Sequence, residues 1–113
     1  MGAYFGVASK KDCLSDIFFG TDYHSHLGTK SAGIAVYDSE VGLQRKIHNL
    51  GGAPFRVKFE HVFTDMKGTS AIGCISDEDP EPLVIRSHLG IFAILVIGVI
   101  NNADEIVEKY LNQ

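Results

Sequence analysis

Gly33-Ile34-Ala35-Val36-Tyr37, then Asp38-Ser39-Glu40, then Val41-Gly42-Leu43-Gln44-Arg45-Lys46-Ile47-His48-Asn49-Leu50 is the stretch whose reading decides the fold. The first five residues are apolar and β-rich. The next three are turn formers with a carboxylate at the first position. The last ten return with loosely alternating polarity, so the whole reads as a β-hairpin. On its N-terminal side, Ala3 to Ser9 reads as a short apolar strand of the kind buried on both faces. Asp12 to Phe19 carries Cys13, Leu14, Ile17 and Phe18 at helical spacing, with Asp12 as a candidate cap. Gly20 and Gly28 bracket a polar stretch, Thr21 to His26, whose form the pattern does not specify.

Beyond the hairpin, Gly51-Gly52-Ala53-Pro54 breaks the chain, and Pro54 is placed to open a short helix. Phe55, Val57, Phe59, Val62 and Phe63 are expected to supply that helix with its apolar face. Thr69 to Ile75 reads as a strand. Asp77-Glu78-Asp79-Pro80-Glu81-Pro82 cannot continue it, because prolines lack an N–H and the charges favour water. Leu83 to Arg86 and Ile91 to Ile97 form a second hairpin around Ser87 to Gly90. Ala103, Ile106, Val107, Tyr110 and Leu111 fall at i, i+3, i+4, i+7 and i+8, with Asn102 and Glu105 in capping-box positions, and predict a final amphipathic helix. The fold class is α+β with strands outnumbering helices. Two or three helices fall short of covering two apolar sheet faces. The sheet is therefore expected to bury a face against a partner or against further chain.

The 113 residues, 1–113, are expected to form one domain or the N-terminal piece of a larger one, without internal repeat or linker. At 45% hydrophobic and 21% charged residues, the chain has enough apolar surface to exclude intrinsic disorder. A net charge of −4 without any basic block argues against nucleic acid as a partner. Two cysteines, Cys13 and Cys74, are too few for a disulfide framework and lack metal-ligand spacing. The residues Met1 to Gly6 lack the basic and apolar regions of a signal peptide and the hydroxyl residue of a myristoylation motif. The longest apolar run, Leu89 to Ile100, is twelve residues, short of the ~20 that span a bilayer. A cytoplasmic location without membrane contact is the expectation.

The candidate chemistry is sparse. His24-Ser25-His26 on a strand would present both imidazoles on one face, as a metal site requires, with Asp22 as a further donor on a different spacing. No third ligand stands at a matching interval, and a hydrogen-bonded structural pair is the preferred reading. His48, His61 and His88 are scattered, each read as a surface or partly buried residue. Asp77 to Glu81 holds four carboxylates in five residues but lacks the glycine and terminal Glu of an EF-hand. Cys74 between Gly73 and Ile75 reads as a buried, inert thiol, and Cys13 as a core residue. No P-loop or dinucleotide motif is present, so no cofactor is expected.

Taken in order, these segments resemble the start of a class II glutamine amidotransferase domain, the glutaminase of amidophosphoribosyltransferase in purine biosynthesis. That family begins Met-Cys-Gly-Ile-Phe-Gly-Ile, where this chain has Met1-Gly2-Ala3-Tyr4-Phe5-Gly6-Val7. It continues His-Arg-Gly-Gln-Glu-Ser-Ala-Gly-Ile, where His26-Leu27-Gly28-Thr29-Lys30-Ser31-Ala32-Gly33-Ile34 matches at six of nine positions. Its Ile-Gly-His-x-Arg-Tyr is similar to Ile72-Gly73-Cys74-Ile75-Ser76-Asp77, and its Gln-Pro-Phe to Glu81-Pro82-Leu83. Its His-Asn-Gly-Asn-Leu-x-Asn falls on Val96-Ile97-Gly98-Val99-Ile100-Asn101-Asn102. The resemblance implies an N-terminal-nucleophile fold of αββα layers, of which this chain spans roughly the N-terminal half.

The same resemblance implies that the glutaminase chemistry is gone. The family's nucleophilic Cys, whose own α-amine acts as base, falls at Gly2. The Arg that grips the glutamine carboxylate falls at Ser76. The Asn that donates to the oxyanion falls at Ile97, and only Gly98 of that motif persists as a candidate binding residue. The implied function is a catalytically inactive glutaminase-like domain with a structural or regulatory role. Its implied partner is a phosphoribosyltransferase-like domain or further copies of itself. Two alternatives stand beside it. One is a small-ligand or metal-binding module using His24, His26 and the acidic loop. The other is an amidotransferase fragment in which Cys13 or Cys74 replaces the missing nucleophile.

Overall fold

A computed structural model describes residues 2–27, 30–77, 80–97 and 102–111. The elements in chain order are β1 (Ala3–Ala8), α1 (Leu14–Tyr23), a 3₁₀ turn (Ser25–Leu27), β2 (Ser31–Asp38) and β3 (Gly42–Asn49). There follow α2 (Phe55–Phe59), α3 (Val62–Asp65), β4 (Ser70–Ser76), β5 (Leu83–Ser87), β6 (Gly90–Ile94) and α4 (Ala103–Leu111). The protein is α+β with antiparallel sheets. One sheet has the order β1-β4-β2-β3, and β5 and β6 form a separate two-stranded ribbon.

The first hairpin forms as its sequence dictates. The Asp38 carboxylate accepts the backbone N–H groups of Glu40 and Val41, both at 3.0 Å, which closes the turn. Gly42 follows at φ +92°, a conformation that side chains rarely adopt. This sets the register Tyr37↔Leu43 and Ile34↔Lys46. β4 then inserts between β1 and β2, with Ala3↔Ile75 on one side and Ala32↔Ile75 on the other.

That register sends Phe5 and Val7 of β1, Ala71 and Ile75 of β4, and Ala32, Ile34 and Val36 of β2 to one face. There they meet Leu14, Ile17 and Phe18 of α1, Phe55 and Phe59 of α2, and Val62 of α3. The Phe55 and Phe59 rings stack at 4.5 Å, and Phe18 lies 5.5 Å from Phe55. Burying each such ring contributes about 1.5–3 kcal/mol, so this layer is the main source of stability.

Several expectations are corrected. β1 alternates between half-buried and exposed residues, because it is an edge strand with only its inner face covered. Burial on both faces belongs to the central β2, whose residues Ser31 to Val36 are all buried. α1 starts at Leu14, with an Asp12 carboxylate oxygen accepting the Leu14 N–H at 3.3 Å, and it runs through Gly20 to Tyr23. The Phe5 ring fills the space where a side chain on residue 20 would lie, so Gly20 serves packing and not termination. The helix expected after Pro54 is two short helices. Phe55, Phe59 and Val62 are buried, while Val57 and Phe63 are exposed. α4 forms as expected, yet none of its residues is buried, and Ile106, Val107, Tyr110 and Leu111 face solvent.

The opposite face of the sheet carries Gly33 and Ala35 of β2, Ile72 and Cys74 of β4, and Arg45 of β3. The segment after β4 crosses it closely. The Glu81 carbonyl sits where a Cβ on Gly33 would be, and it accepts the Cys74 thiol at 3.2 Å. Arg45 Nη1 donates to the Pro82 carbonyl at 3.3 Å. β5 and β6 then lie over part of this face and leave Leu83, Ile85, Ile91, Phe92 and Ile94 partly exposed. The molecule is a slab 18 Å thick with a radius of gyration of 15.0 Å, against about 13 Å for a compact chain of this length. Among the described residues no helix is long and apolar enough to cross a membrane.

Candidate functional site

The start of β1 and the end of β4 are neighbours because Ala3 pairs with Ile75. The chain leaves β4 at Ser76, crosses the sheet, makes the β5–β6 hairpin and returns to the same edge. A Cβ on Gly2 would lie 2.5 Å from the Ile75 carbonyl oxygen, 3.2 Å from Ile97 Cδ1 and 3.5 Å from Ser76 Cα. Gly2, Ser76 and Ile97, far apart in sequence, therefore meet at one point.

Hydrogen bonds hold the surroundings in place. The Glu81 carboxylate accepts the Val96 N–H at 3.3 and 3.4 Å, which fixes the backbone next to Ile97. Buried Ser31 donates its hydroxyl to the Ser76 carbonyl at 3.4 Å. The Lys30 N–H donates to the Asp77 carboxylate at 3.2 Å. The cluster thus has a hydrogen-bonded frame and an apolar filling. Among the described residues within contact of the Gly2 Cβ position there is no thiol, imidazole or guanidinium. Gly98, Glu78 and Asp79 lie outside the described residues.

His24 and His26 are not on a strand. His24 follows α1, and its ring Nδ1 lies 2.9 Å from the Gly20 carbonyl, to which it donates, with the ring beside Tyr23 and Phe5. His26 is exposed in the 3₁₀ turn. In helical geometry residues two apart do not share a face, so the spacing that would pair them on a strand separates them here. Asp22 turns instead to Arg56 Nε at 2.7 Å. Among the described residues no group of three or more His, Cys, Asp or Glu is placed to hold a metal.

Both thiols are buried. Burial and the Glu81 charge push Cys74 up to about 12. Burial, followed by the Asp12 charge, pushes Cys13 up as well. Neither is a thiolate near neutral pH, and the thiolate is the form that attacks.

Between the sheet and the hairpin runs an open crevice of about 500 Å³, lined by Gly6, Ala35, Tyr37, Leu43, Ile72 and Ala93 among others. Its walls are chiefly apolar, and neither His24, His26 nor the acidic loop contributes to them.

His48 and His61, expected as separate surface or partly buried residues, are brought together with Nε2 atoms 3.4 Å apart. His48 lies on β3, at a position paired with Ala32 of the helix-covered face, and His61 immediately precedes α3. No fixed spacing signals such a pair, since it depends on where α2 and α3 cross the sheet edge. No protein-family model, curated protein or solved structure matches this chain.

Proposed function

We propose that the chain is a catalytically silent glutaminase-like domain of the class II amidotransferase type, with a structural or regulatory role. The observation that carries this reading is the meeting of Gly2, Ser76 and Ile97. The motif resemblance assigns these three positions to the nucleophile, the carboxylate clamp and the oxyanion donor. Their convergence rests on strand register and chain path, which are independent of that assignment. The layer order agrees with it. Helices, a four-stranded antiparallel sheet and a second antiparallel ribbon on the opposite face correspond to the first three layers of an αββα arrangement.

Each of the three substitutions removes a chemical capability. Glycine supplies no nucleophile, serine cannot form the two-pronged contact of a guanidinium, and isoleucine donates no hydrogen bond. Loss of one oxyanion donor alone costs about 100-fold or more in rate. With both cysteines buried and protonated, no replacement thiol stands in.

The role left to such a domain is association. The accessible surface is 7519 Å², against about 6,100 Å² for a folded monomer of this mass. The excess exceeds the roughly 800 Å² that each partner buries in a standard interface. Exposed Leu83, Ile91, Phe92 and Ile94 on the hairpin and the stripe of α4 supply apolar surface for it. A phosphoribosyltransferase-like domain or further copies of the chain would cover that surface.

Ammonia release from L-glutamine tests the reading. The protein is expected to release none above the buffer blank. A turnover rate that follows protein concentration through purification would overturn it.

A further inference from the structure

We propose that His48 and His61 form a two-imidazole site for a borderline divalent transition-metal ion such as Zn2+, with solvent completing the coordination. Two nitrogens each about 2.0–2.1 Å from a tetrahedral zinc are about 3.3–3.4 Å apart. The Nε2 atoms of His48 and His61 are 3.4 Å apart and share a hydrogen bond, so an ion that takes the place of the shared proton meets both at their existing separation.

Packing holds the His48 ring, and the backbone that carries His61 is anchored in the start of a helix. His48 packs edge-on against Phe59 at 4.9 Å and 81°, and Phe59 is fully buried. His61 is fixed at the start of α3, where its carbonyl accepts the Thr64 and Asp65 N–H groups and the Thr64 hydroxyl. The two rings stand at 83° to each other, and both are partly buried.

The neighbouring charges of Lys46 and Lys58 oppose an incoming cation, and Asp65, 4.0 Å from Lys46, offsets part of that field. Nitrogen donors without a carboxylate favour Zn2+, Cu2+ or Ni2+ over Mg2+ or Ca2+. This site is separate from the Gly2 cluster and does not depend on the glutaminase reading.

Zn2+ titration of the metal-free protein, followed by the histidine ring resonances in NMR, tests the proposal. The expected result is that His48 and His61 shift together and saturate at one equivalent, with no such response to Mg2+. His48→Gln and His61→Gln are each expected to weaken Zn2+ binding at least tenfold. His61 is partly exposed, so His61→Gln keeps the test open if His48→Gln folds poorly. Zn2+ acting first at His24, His26 or His88, or full affinity in the folded His61→Gln protein, would overturn the proposal.

Discussion

A side chain on Gly2 would begin 3.2 Å from the Cδ1 of Ile97, inside the van der Waals distance of two carbons. The Ile75 carbonyl, 2.5 Å from the same point, closes the other side. The start of β1 therefore accepts glycine because neighbouring chain already occupies the space. An aliphatic side chain and a backbone carbonyl border that point, so a larger residue at position 2 would have to displace one of them.

The break between α2 and α3 decides which aromatic residues carry stability. Phe59 is fully buried against Phe55 and His48, whereas Val57 is 60% exposed. Phe59→Ala is expected to cost about 3–5 kcal/mol. Val57→Ala is expected to stay within about 0.5 kcal/mol. Urea denaturation of the two variants checks the contrast, and similar losses would contradict the two-helix arrangement.

Thr21 is buried in α1, and its hydroxyl has no hydrogen-bond partner among the described residues. An unsatisfied buried hydroxyl costs about 1–3 kcal/mol. Thr21→Val keeps the shape and removes that cost, so the midpoint of thermal unfolding is expected to rise by about 4 °C or more. A lower midpoint would mean that the hydroxyl is satisfied in solution.

How far the sequence reveals this fold can be judged residue by residue. The Asp38 turn, both hairpins and the α4 stripe were legible, because each depends on contacts between near neighbours. Gly20, expected to bound the polar stretch from Thr21 to His26, lies inside α1, and only the Phe5 ring from β1 explains why glycine is needed there. The exposure of Val57 and the partial exposure of Phe63, whose ring still meets Phe18 at 4.9 Å, likewise follow from the chain turning at Glu60-His61, which no apolar spacing marks. Gly2, Ser76 and Ile97 meet only through strand register and chain path, and the His48–His61 pair leaves no trace in spacing at all.

His48 gives the protein a defined acid sensitivity. Its pKa is lowered in the folded state, first by burial and then by neighbouring positive charge. The unfolded chain therefore binds the proton more readily. The stabilisation is present above the ordinary value of 6.5 and is lost as pH falls through the lower folded value. Stability measured in the presence of a chelator is expected to decline below about pH 6.5, and less steeply in His48→Gln. Equal slopes for the two proteins would refute the assignment.

Cys74 is fully buried, donates to the Glu81 carbonyl and is pushed up to about 12. Cys13 is buried at the start of α1 and is also raised. Neither is expected to react with iodoacetamide at pH 8 in the folded protein, and both are expected to react in urea. Intact mass after labelling distinguishes the outcomes. Rapid native alkylation at either position would reopen a thiol-based reaction.

The central claim is that Ile97 packs against Gly2 beside Ser76. In NMR spectra of the assigned protein, the nuclear Overhauser effect between the Ile97 δ-methyl and the Gly2 α-protons measures that contact directly. The account predicts a strong cross-peak, consistent with 3.2 Å from the methyl carbon to the Gly2 Cβ position. If both resonances are assigned and the cross-peak is absent, the three positions do not form one site and the silent-glutaminase reading loses its support.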